Sequence, residues 1–67
     1  MLRLRRILDT KGVSVKRCAE ALGISEKSLY NKCAEETEFT YGEVRKLKAM
    51  MPEYDMEYVL SREGESA

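Results

Sequence analysis

Four polar residues of this chain, Ser14, Ser25, Thr40 and Asp55, share one local pattern: an apolar residue just before and another four positions after. The pairs are Val13 with Cys18, Ile24 with Leu29, Phe39 with Val44, and Tyr54 with Val59. A hydroxyl or carboxylate that caps a helix start, clasped between apolar residues at that spacing, is the signature of a hydrophobic staple. Thr40 and Glu43 add a reciprocal capping box, in which each side chain serves the other's backbone amide. The stops agree: Gly12 and Gly23 can take the left-handed conformation that ends a helix, and Pro52 cannot continue one. The pattern predicts five short helices over about 2–11, 15–22, 26–34, 41–51 and 56–61.

Apolar residues recur at spacings of three and four within these segments, as one face of each helix requires. The expected core is Leu4, Ile7 and Leu8; Val15, Cys18, Ala19 and Leu22; Leu29 and Cys33; Val44, Leu47 and Met51; Val59 and Leu60. No alternating run longer than four residues competes, so the expected fold class is all-α, a compact bundle. A chain of 67 residues is read as one small domain, residues 1–61, followed by a short polar tail, 62–67. Its core is thin, and a partner subunit would help to stabilise it.

Several functions are disfavoured by what the chain lacks. There is no histidine, no glycine-rich phosphate loop and no pair of carboxylates set across a cleft, so no enzyme, cofactor or small-molecule substrate is expected. Two cysteines without histidine make a poor zinc site, and no metal is expected. Cys18 and Cys33 each fall on an apolar helical face and read as core thiols, with a disulfide as the alternative. No stretch approaches the roughly 18 apolar residues of a membrane span, and the start MLRLRRIL lacks the apolar run of a signal peptide. A cytoplasmic, reduced protein with no membrane partner is the expectation.

Equal totals of basic and acidic residues conceal an uneven distribution. Residues 1–33 hold eight basic and three acidic side chains, a net of +5; residues 34–67 hold four and nine, a net of −5. A basic half suits a polyanion, the alternative being a chance arrangement of solvated faces.

Between Leu22 and Glu26 only Gly-Ile-Ser connects two helices, the short glycine-containing link of a helix-turn-helix. Ala19 lies where the two helices approach, with Leu22, Ile24 and Leu29 behind it. The segment VKRCAEALGISEKSLYNKC resembles the helix-turn-helix of the lambda-repressor-like (Cro/Xre) DNA-binding family, through Ala19, Gly23, Ile24, Ser25 and Leu29 at that family's spacing. With one helix before it and two after, the resemblance covers roughly residues 2 to 60. It implies a lambda-repressor-like fold and a phage or prophage repressor or Cro-like transcription regulator that binds double-stranded DNA.

At about 100° per residue, a helix that buries Leu29 and Cys33 turns Lys27 and Asn31 outward, with Ser28 and Tyr30 flanking. In the family this face enters the major groove. Asn31 suits adenine, Lys27 guanine, Glu26 cytosine N4, and the Tyr30 ring a thymine methyl. Any exposed helix face carries such residues, and Tyr30, a large aromatic on the polar side, argues for a role beyond solvation. Backbone phosphates would be met by Ser14, Lys16, Arg17, Ser25, Ser28 and Lys32. Arg3, Arg5 and Arg6 read as solvated charges that add long-range attraction. One helix reads only a few base pairs, so a homodimer on two half-sites roughly 34 Å apart is expected. Its contact is sought in the last helix and tail, at Tyr54, Met56 and Tyr58, whose alternative is closing the core.

Two places depart from the family. Many members carry a buried Arg–Glu pair where this chain has Leu8 and Cys33, an exchange for packed apolar groups that is often neutral or stabilising. The loop AEETEF sets Glu35, Glu36 and Glu38 where the family often has Asn-Gly close to phosphate, and these carboxylates would repel DNA. The alternative function is therefore a helical protein–protein interaction module of the same fold that docks through its acidic half and does not bind DNA.

Overall fold

The computed structural model describes residues 1–63, so the end of the expected tail, 64–67, lies outside the described residues. Five helices follow one another: α1 (Arg3–Lys11), α2 (Val15–Leu22), α3 (Glu26–Cys33), α4 (Tyr41–Met50) and α5 (Met56–Val59). All four capping residues act as the sequence pattern requires. Ser14 accepts from the Arg17 amide, Ser25 from Ser28, Thr40 from Glu43 and Asp55 from Glu57, and the Thr40–Glu43 box closes in both directions. The result is a small all-α bundle in which α2 packs on α3 and α4, while α1 packs on α3 and α5.

The core is the expected set with three changes. Leu4, Ile7, Leu8, Val15, Cys18, Ala19, Leu22, Leu29, Cys33, Leu47, Met51 and Val59 are buried, and both cysteines are free thiols. Val44 and Leu60 are only partly buried, and Leu2 joins the core. Leu2 is not the first residue of α1. Its backbone is extended, its N–H donates to the Cys33 carbonyl at 2.8 Å, and it forms an isolated antiparallel bridge with Arg62.

That bridge also explains why α5 stops at Val59 rather than 61. The chain leaves the helix to run beside residues 1–3: the Arg3 amide donates to Ser61 and the Glu63 amide to Met1, both at 2.9 Å. Arg62 and Glu63, expected in a polar tail, are thus tied to the start of the chain. α4 ends at Met50 because Pro52 disfavours a helical Met51, which has φ −137° and ψ 66°.

Three helices end in the same hydrogen-bonded turn. After α1, Gly12 donates to Asp9 and Val13 to Leu8; after α2, Gly23 donates to Glu20 and Ile24 to Ala19. After α3, Glu35 donates to Lys32 at 3.1 Å and Glu36 to Asn31 at 2.8 Å. Each is a Schellman motif with a left-handed residue at its turn. Gly12 and Gly23 adopt it without steric penalty, whereas Glu35, at φ 67°, carries a Cβ there.

Candidate nucleic-acid interface

α3 presents two unlike sides because Leu29 and Cys33, buried at 0 % and 1 % exposure, fix its rotation. Glu26 and Lys27 are exposed, Tyr30 is 44 % exposed, and Asn31 is partly buried. The four expected base readers therefore lie on or at the edge of one face, with Asn31 the most recessed. Ser25 and Ser28 sit at the start of this helix, where the Ser28 amide and the Ser28 hydroxyl both approach Ser25 Oγ at 3.1 Å. Ser14 caps the start of α2 in the same way, leaving Lys16 and Arg17 exposed on its first turn.

The basic side chains divide sharply. Arg5 pairs with Asp9 at 2.9 Å, Arg6 with Glu63 at 3.7 Å, Lys11 with Glu53, and Lys32 with Glu43 at 3.3 Å. Arg3 lies over the Tyr58 ring and donates to Ser61 Oγ. Among the described residues, Arg45, Lys46 and Lys48 on α4 take part in no ion pair, and neither, in the N-terminal half, do Lys16, Arg17 and Lys27. The charges of these last three face solvent at the starts of two capped helices, where backbone amides also lack helical acceptors.

Lys32 corrects the expected phosphate-contacting set. Its side chain is 12 % exposed; it donates to the Glu38 carbonyl at 3.0 Å, pairs with Glu43 and lies 5.8 Å from the Phe39 ring centre. It fastens the segment between α3 and α4 instead of pointing outward. Glu43 is held below the ordinary carboxylate range, first by the hydrogen bond from the Thr40 amide, against some burial, and then by Lys32.

The acidic loop is partly neutralised from within. Glu35 accepts three hydrogen bonds from Arg62, the shortest 2.9 Å, and these depress its pKa. Glu36 and Glu38 remain exposed. Glu35, Glu38 and Lys32 line an open groove of about 430 Å³ whose apolar residues are Leu2, Phe39, Val44 and Leu60.

Two features near α3 escape a reading of the sequence. Lys46 on α4 reaches the turn between α2 and α3, so that a Cβ at Gly23 would lie 3.9 Å from its ammonium. Arg5 on α1 lies over Tyr30, 5.7 Å from the ring centre. Some burial opposes the Arg5 charge, but Asp9 and then Tyr30 outweigh it and raise its pKa. Tyr54, just before the last helix, and Met56 within it pack against the core, while Tyr58 stays half-exposed beneath Arg3.

Nothing among the described residues groups three or more acidic or cysteine side chains around a metal position, and no helix there is long and apolar enough to cross a membrane. Comparison of the chain with protein-family models, with curated proteins and with solved structures finds no match in any of the three.

Proposed function

We propose that this chain is a sequence-specific DNA-binding regulator of the lambda-repressor-like (Cro/Xre) kind, which lays α3 in the major groove and binds its operator as a homodimer. The observation that carries this reading is the division of charge. Among the described residues, the cations at the starts of α2 and α3 take part in no ion pair, while the other basic groups of the N-terminal half are engaged within the fold.

In this reading Lys16 and Arg17, with the Ser14 and Ser25 helix starts, grip phosphates on either side of the groove. Lys27, Asn31, Glu26 and Tyr30 meet base edges between them. Lys46, beside the turn, adds a cation to the phosphate-facing set. Glu35 is drawn aside by Arg62, which lessens the repulsion its loop would exert.

Selection from a pool of random duplexes, repeated across salt concentrations, tests the reading. The expected product is a two-fold symmetric site with half-sites roughly 34 Å apart and an affinity that falls steeply with salt. Failure to enrich any sequence at low salt overturns it. The groove lined by Glu35 and Glu38 favours a second reading, in which a basic protein segment with apolar anchors docks on the acidic half. Binding of such a segment with no duplex enriched would establish that alternative.

A further inference from the structure

Tyr30 differs from the other base-reading candidates because its ring is held from another helix. The Arg5 guanidinium lies over it at 5.7 Å, and Arg5 Nη1 donates to Asp9 Oδ1 at 2.9 Å. Asp9 and Arg5 are one turn apart on α1, so the carboxylate fixes the end of a long, otherwise mobile side chain. A planar cation on the ring face then restricts the rotation of an aromatic side chain that is 44 % exposed.

We infer that Asp9 and Arg5 position Tyr30 at the edge of the outer face of α3, which makes Arg5 a specificity-determining residue although it stands outside the helix-turn-helix. This inference rests on the proposed DNA reading. It assigns to α1 an effect on base selection, whereas a solvated arginine would contribute only its charge. Charge alone changes affinity for every duplex alike; placement of a ring changes the ratio between sequences.

The test uses the full chain, the duplex it selects and a random duplex. Wild type is compared with Arg5→Ala, Tyr30→Ala, the double variant, Arg5→Lys and Asp9→Asn. Arg5→Ala is expected to lower the ratio of selected to random affinity about two- to fivefold. The double variant should lose no more of that ratio than Tyr30→Ala alone. Arg5→Lys should fall between, since an ammonium keeps the charge without the planar stack, and Asp9→Asn should shift the ratio the same way by less.

In the free protein, Arg5→Ala should move the Tyr30 ring proton resonances while the helical circular dichroism is unchanged. Two results overturn the role of Arg5: equal losses on both duplexes with a salt slope reduced by about one, or ratio losses that add in the double variant. A wild-type chain that selects no duplex overturns the DNA reading itself, which is a different outcome from a selected duplex with additive losses.

Discussion

The two ends of α3 use their charges in opposite ways. At its start, Glu26 and Lys27 are exposed above a Ser25 cap, and Lys27 takes part in no ion pair among the described residues. At its end, Lys32 binds Glu43 and the Glu38 carbonyl, and Glu35 binds Arg62. One helix thus combines a start whose charged groups are exposed to solvent with a terminus whose charged groups are paired within the fold. Charge content alone does not identify a recognition surface; what separates the ends is which charges the fold has already satisfied.

The sharpest break of that contrast compares an inward residue with an outward one. Leu29→Ala removes a fully buried side chain and is expected to cost about 2–5 kcal/mol in urea unfolding, while Lys27→Ala should stay within about 0.5 kcal/mol. Comparable losses at both positions would mean that Lys27 supports the fold.

Lys32→Met tests the other end. It strips Glu43 of its cation and the Glu38 carbonyl of its donor in a setting where both charged side chains are nearly covered. A loss of about 1–3 kcal/mol in stability is expected. On the proposed DNA reading, the salt slope of binding should not move, in contrast to the drop of about one expected on removing a phosphate-contacting lysine.

Much of this arrangement was legible in the sequence because it is local. Caps, staples and the two glycine turns lie within a few residues of one another, and they place all five helices to within one residue, except the end of α5, which comes two residues early. What was not legible depends on contacts across the chain. The end of α5 is set by the pairing of residues 61–63 with residues 1–3, and no local pattern announces two extended segments some sixty residues apart. Helical periodicity sets the direction of the Lys32 Cα–Cβ bond, but its long stem bends over Phe39 to the nearest carboxylate. Arg5 reaches Tyr30 for the same reason.

Titration tests the paired end of α3 and the core beneath it. Glu43 has a folded pKa below its unfolded value of about 4.3, so its contribution is complete above that value and is lost as pH falls through the lowered one. Glu43→Gln should therefore flatten the acid limb of a stability–pH curve measured below about pH 4. On the alkaline side, burial first and Cys33 next push the Cys18 thiol up to about 11. That raised value favours the folded state at low pH and ceases to do so as pH climbs from about 8.5 toward 11. The native thiols should accordingly resist a disulfide reagent at pH 8 that reacts readily with the unfolded chain.

The smallest effect lies at Glu35, where backbone and side chain oppose each other. Its left-handed φ disfavours any residue with a Cβ, and glycine would relieve a backbone penalty of about 1 kcal/mol. Glu35→Gly also removes the carboxylate that receives Arg62, so the two changes offset each other in the wild-type background. In an Arg62→Gln background the Arg62 pair is already gone, leaving only the Met1 ammonium 3.5 Å from Glu35, and Glu35→Gly should raise the thermal midpoint by more than it does in the wild type. The difference between those two shifts measures what the Arg62 clasp contributes to the closed end of α3. Equal shifts in both backgrounds would mean that the clasp is a surface contact without energetic weight, and the contrast would then rest on Lys32 and Glu43.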